Sequence, residues 1–152
     1  MRTRVARTSD GGHRLAGARV ADAMTAMDQP HSVLVLLCDG IAGNPHEVVR
    51  GAYSVAGAGV PLVGGFAGDD LEFRRTYQFH GPAGSGTVEL LDDAVVGVAL
   101  DSERPLGIGV AHGWHRTEPG MIVTRSTGGR ILEIDRKPAL DVLAQRLGVA
   151  AR

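Results

Sequence analysis

The stretch SVLVLLCDG, followed by NPHEVVRGAYSVAGAG and then VPLVGG, constrains this chain more than any other feature. Residues 33–37 are apolar without a break, the pattern of a strand covered on both faces as in a parallel sheet. Asn44 stands where an N-cap belongs, Pro45 follows at the first helical position, where a missing N–H costs nothing, and Glu47 is placed to answer the cap. The spacing predicts a helix from there to about residue 56, burying Val48, Val49, Ala52 and Val55 or Ala56, with Gly57-Ala58-Gly59 as its stop. The short apolar run 60–64 is then a second strand. Crossovers between strands of one sheet are right-handed in nearly all cases, so strands 33–38 and 60–64 are expected to lie parallel.

Around this unit the pattern changes. Residues 1–11 read as a tail, and residues 14–27 as a first helix with Ala16, Val20, Ala23, Met24 and Met27 on one stripe. After the glycine-rich loop GGFAGDD the period becomes two: EFRRTYQFH sets Phe73, Arg75, Tyr77 and Phe79 against Glu72, Arg74, Thr76 and Gln78, which predicts a half-buried strand with an aromatic face. GPAGSG is a flexible connection, and further strands are expected at 87–91, 94–101, 106–112 and 121–126. Gly128-Gly129 has the chemistry of a two-residue hairpin, and a last helix spans about 138–147, with Gly148 ending it. The fold class is therefore mixed α/β (α+β): a parallel strand-helix-strand unit, then an antiparallel meander and hairpin, with a few helices flanking the mixed sheet.

Charge and cysteine content narrow the function. Sixteen basic residues face seventeen acidic ones, so no general field draws nucleic acid or an anionic membrane to the chain. One cysteine, Cys38, permits no internal disulfide and no paired-cysteine zinc site, which fits a reducing compartment. The longest apolar run is far too short to span a bilayer. The protein is read as cytoplasmic, with neither nucleic acid nor membrane as partner and with no cofactor.

Ligands of open sheets with parallel strands bind beyond the carboxyl ends of those strands. Both strands here end in acid, which is expected to bring Asp39, Asp69 and Asp70 together, while Gly64, Gly65 and Gly68 let backbone approach a ligand. A phosphate cradle would need a helix N-terminus and a basic residue after the glycines; carboxylates and a period-two strand follow instead. A ligand ammonium suits the loop better. The plainer reading is a loop fixed by turn hydrogen bonds and by pairing with Arg74 or Arg75. If strands 72–80, 94–101 and 106–112 run up and down, His80 and His112 meet at the opposite edge, and with Trp114 and His115 form a second candidate pocket. Their spacing is not that of metal ligands. Cys38, beside Asp39, has no histidine placed next to it, and Ser54, Ser102 and Ser126 lack a nucleophile-elbow context, so no catalytic residues are assigned.

The strings VPLVGGFAGDDLEFRRTYQFHG, DDAVVGVAL, PLGIGVAHGW and MIVTRSTGGRILEIDRKPALDVL, in this order, resemble the FIST domain family (F-box and intracellular signal transduction proteins). The resemblance covers the chain from about Val5 onward. It implies a cytoplasmic sensory module that binds small ligands such as amino acids and passes the signal to an output domain. It also implies that residues 1–113 are the later part of an N-terminal FIST segment and 114–152 the beginning of a C-terminal one, one compact unit cut from a longer protein; HRTEPGMIV departs from the family pattern. Binding would then involve Asp39, Gly64, Gly65, Gly68, Asp69, Asp70 and Arg74. Two other classes stay open: a small hydrolase or transferase using Cys38 or an aspartate-bound metal, and an interaction scaffold that pairs through exposed strand edges.

Overall fold

The computed structural model describes residues 1–81, 84–116 and 119–150; the middle of GPAGSG and part of HRTEPGMIV lie outside the described residues. The chain divides into two compact units, one of Met1–Gly109 and one from Val110 onward. Together they bear out the expected mixed α/β content, with parallel and antiparallel strands and hairpin sheets.

In the first unit, β1 (Arg2–Arg7), α1 (His13–Ala21), β2 (His31–Asp39), α2 (Pro45–Ala56) and β3 (Leu62–Ala67) come first, and β4 (Gln78–His80), β5 (Glu89–Leu91) and β6 (Ala94–Ser102) follow. The sheet order is β1-β6-β2-β3, with β4 and β5 forming a separate two-stranded sheet. Strands β2 and β3 are parallel, as the strand-helix-strand pattern requires, and Asp39 lies opposite Ala67 at their carboxyl ends. Strand β6 runs antiparallel to both β2 and β1.

The N-terminal residues correct the sequence reading. Arg2–Arg7 is an edge strand, not a tail. Arginines at every second or third position conceal its alternation, yet Ala6 is buried. The first helix also ends sooner than predicted, at Ala21, and Asp22–Ala26 continue as a 3-10 turn. Helix α2 has the predicted bounds but not the predicted cap: Pro45 opens it, whereas the Asn44 side chain makes no capping bond. Glu47 instead pairs with Arg50 at 3.2 Å.

Both helices lie on one face of the sheet, over a core of Ala16, Val20, Leu34, Leu36, Cys38, Val48, Ala52 and Val95. Small residues let them approach closely. A Cβ on Gly17 would strike the Val48 carbonyl, one on Gly51 the Arg14 carbonyl, and one on Gly97 the Val20 side chain. Apolar burial of this kind contributes roughly 25 cal/mol per Å², and it is realised only because the backbones can meet.

In the second unit, β7 (Val123–Thr127), β8 (Arg130–Ile134) and β9 (Lys137–Pro138) form a three-stranded antiparallel sheet, followed by α3 (Ala139–Leu147). The hairpin at Gly128-Gly129 and the stop at Gly148 are as predicted, Gly128 and Gly148 both being left-handed. The strand expected at 106–112 does not form; that stretch is irregular. Its glycines at 107 and 109 favour irregular backbone over a strand ladder.

The helix contact yields a prediction. Gly17→Ala and Gly51→Ala should each lower the stability to urea unfolding by about 2 kcal/mol, the scale of overpacking, although alanine has the higher helix propensity. A stability equal to or above that of the native chain would show that the helices do not meet as described.

Candidate functional site

The carboxyl edge of β2 and β3 is organised by Asp39. Its side chain is buried, and one carboxylate oxygen accepts the N–H groups of Ile41 and Ala42 at 2.8 and 2.9 Å. The other accepts the Asp93 N–H at 3.3 Å, from the turn between β5 and β6. Burial opposes the charge, but the donors of Ile41 and Ala42, the Thr76 hydroxyl and the Asp93 N–H together outweigh it and hold the carboxyl below its ordinary range. Thr76 is buried, and among the described residues its hydroxyl lacks any partner of full hydrogen-bond geometry. With its amide oxygen turned toward Asp39, Gln78 takes the Asp39 N–H and donates to the Ala94 carbonyl, each at 3.2 Å. On the far side of the loop, a ring nitrogen of His13 meets the Ala42 carbonyl.

This cluster overturns the aromatic face predicted for 72–80. Only Gln78–His80 is a strand. Thr76 and Gln78 are the buried members, 1% and 4% exposed, whereas Tyr77 and Phe79 are 43% and 66% exposed. The period of two is real from Thr76 on, but its polar half faces inward, where Gln78 meets the Asp39 N–H and the Ala94 carbonyl. Before Thr76 the chain is not extended. The Asp69 carboxylate accepts the N–H groups of Phe73, Arg74 and Arg75, and these donors hold it below the ordinary carboxylate range, Arg74 foremost. Asp70, Leu71 and Phe73 adopt left-handed backbone, with φ of 59°, 67° and 54°.

The three aspartates therefore reach one edge but line two adjoining cavities that share Ile41. A polar cavity of about 230 Å³ is lined by Asp39, Ile41, Ala42, Arg74, Arg75, Asp92 and Asp93. Its neighbour, about 250 Å³, is lined by Gly68, Asp69, Asp70, Ile41, Leu71 and Phe73 among others. Neither Asp69 nor Asp70 pairs with an arginine side chain among the described residues. Arg75 instead reaches Asp92 at 3.3 Å, and Arg74 lies 3.8 Å from Glu72. Gly64 and Gly65 sit within β3, opposite Leu36 and Leu37, and face apolar cavities rather than the polar one. Sequence reasoning named Arg74 and Arg75 here but not Asp92 or Asp93; the doublet DD between two apolar runs was the available signal, as a turn whose side chains face back to the strand edge.

The second candidate pocket loses its premise. His80 is part of the first unit, where its ring nitrogen lies 3.1 Å from the Thr3 hydroxyl. His112 and Trp114 belong to irregular, exposed chain of the second unit, Trp114 being 86% exposed, and the strand that was to bring them to His80 is absent. Among the described residues no three His, Cys, Asp or Glu side chains are grouped to hold a metal. Cys38 is buried, and burial first, then the Asp39 charge, push its thiol up to about 11, conditions opposed to a thiolate.

Residues 1–137 match the FIST N domain. The chain belongs to the FIST N domain family. FIST domains are sensory domains of signal transduction, and a general sensory role follows for this member. No curated protein and no solved structure matches the chain. Among the described residues no helix is long and apolar enough to cross a membrane.

The Asp39 cluster carries its own pH dependence. A carboxyl held low in the folded state stabilises it above the unfolded value, about 3.9, and that contribution is lost as pH falls through the folded value. Asp39→Asn should cost about 2 kcal/mol near pH 7, the scale of hydrogen bonds to a charged group, and should flatten the fall in urea midpoint between about pH 5 and pH 2. An unchanged acid limb would remove Asp39 from this role.

Proposed function

We propose that this FIST domain senses a small bipolar ligand of amino-acid type in the polar cavity beside Asp39. The observation that carries the reading is the presence of both charge signs in one small cleft, lined by Arg74, Arg75, Asp92 and Asp93. Guanidinium groups grip a carboxylate through paired N–H donors, and the Asp93 side chain, exposed and without an ion pair among the described residues, suits an ammonium. Asp39 contributes differently from what its position alone suggests. Its oxygens are engaged by backbone donors, so it fixes the cavity walls and leaves ligand contact to its neighbours. The adjoining Asp69 and Asp70 cleft extends the site toward a ligand side chain, and Gly68 gives room there.

The reading is of binding without catalysis, supported by the protonated, buried state of Cys38. We place it in the cytoplasm on the single cysteine, with a signalling output domain or protein as the recipient of the ligand's effect.

A thermal-shift and calorimetric panel of free amino acids tests this. At a hundred times its dissociation constant a ligand should add about 2.7 kcal/mol to stability. Arg75→Ala or Asp93→Asn should weaken that ligand roughly tenfold or more, and blocking either its carboxylate or its amine should abolish the shift. No response to any amino acid at millimolar concentration would sink the reading.

A further inference from the structure

Strand β3 ends the four-stranded sheet, and its outer edge has no strand partner among the described residues. The Pro61 carbonyl accepts the Leu34 N–H. Successive residues of a strand point their backbone groups to opposite sides, so the N–H and C=O groups of Leu62, Gly64 and Phe66 face away from β2. Proteins commonly guard such edges with charge, proline or a bulge, yet residues 62–67 contain neither charge nor proline. Phe66 is 57% exposed.

Two cavities flank the strand. One, about 230 Å³, lies on the helix side and is lined by Val49, Tyr53, Leu62, Gly64 and Phe66 among others. The other, about 300 Å³, lies on the opposite face against Leu37, Gly65, Tyr77 and Phe79. A strand laid along the edge would send alternate side chains into the two, the geometry of recognition by strand addition.

We propose that the occupant is β3 of a second copy of this chain, paired antiparallel about a two-fold axis. Projection and hollow lie on one strand: Phe66 stands out near its end, and Gly64 and Gly65 open a cavity on each face beside it. A surface that complements itself in this way is what an isologous interface requires. Charge selects the direction. Asp69 and Asp70 follow the strand, whereas residues 57–61 before it carry no charge. Antiparallel pairing sets the acidic end of each copy against the uncharged end of the other; parallel pairing would gather four carboxylates, which repel. The inference rests on β3 and stands independently of the ligand reading.

Sedimentation velocity of the full chain over a concentration series, joined to hydrogen exchange at its two extremes, tests the proposal. The expected result is a reversible monomer–dimer equilibrium, with the amides of Leu62, Gly64 and Phe66 protected roughly tenfold more in the concentrated sample. Phe66→Lys, at an exposed position, should weaken the dimer by about tenfold or more. Should that variant fail to fold, judged by circular dichroism, the native amides decide alone. A single-chain mass at about 100 µM, a dimer whose β3 amides exchange as freely as the monomer's, or a folded Phe66→Lys variant that pairs as tightly as the native chain would each overturn it.

Discussion

The first unit depends on a buried carboxylate that is kept charged by backbone. Asp39 closes β2, and its two oxygens reach the loop that leads into α2 and the turn that leads into β6. An ionised group inside a protein survives only if its lone pairs are met, and here three N–H donors meet them. The surroundings follow from that demand. Gln78 turns inward onto the Asp39 N–H and the Ala94 carbonyl, Thr76 is buried two residues before it, and Tyr77 and Phe79 are left outside. The same carboxylate ties together the loop and the turn that line the polar cavity.

Much of the fold was legible, for reasons that lie in particular residues. The run 33–37 admits little but a buried strand, Pro45 and Gly57 bracket α2, and Gly128-Gly129 fits a hairpin whose first glycine is left-handed. Where reading failed, a tertiary partner decided the local structure. Strand β1 is recognisable only through its pairing with β6. Residues 72–75 read as the start of an alternating strand but are wound about the Asp69 carboxylate, a partner that hydrophobic periodicity cannot register. The expected strand at 106–112 had apolar residues but no neighbour to complete its ladder.

The candidate site was half legible for a related reason. The rule that ligands gather beyond the carboxyl ends of parallel strands led to Asp39, Asp69, Asp70 and Arg74, which line the two cavities beyond β2 and β3. It did not reveal that two of these aspartates spend their oxygens on the backbone. Nor did it reveal that Asp92 and Asp93, from the turn before β6, line the same cavity. A carboxylate in a loop is as often a fastener as a contact, and which of the two it is depends on how many N–H groups the folded chain aims at it.

One feature of the β5–β6 turn reaches beyond the site. The Asp93 carbonyl accepts the Thr8 N–H at 2.7 Å, and Asp92 pairs with Arg7 at 3.2 Å. The turn that walls the polar cavity is thus also the clasp on the end of β1. A ligand that drew Asp92 and Asp93 inward would therefore pull on the end of β1, the strand at the opposite side of the sheet from β3.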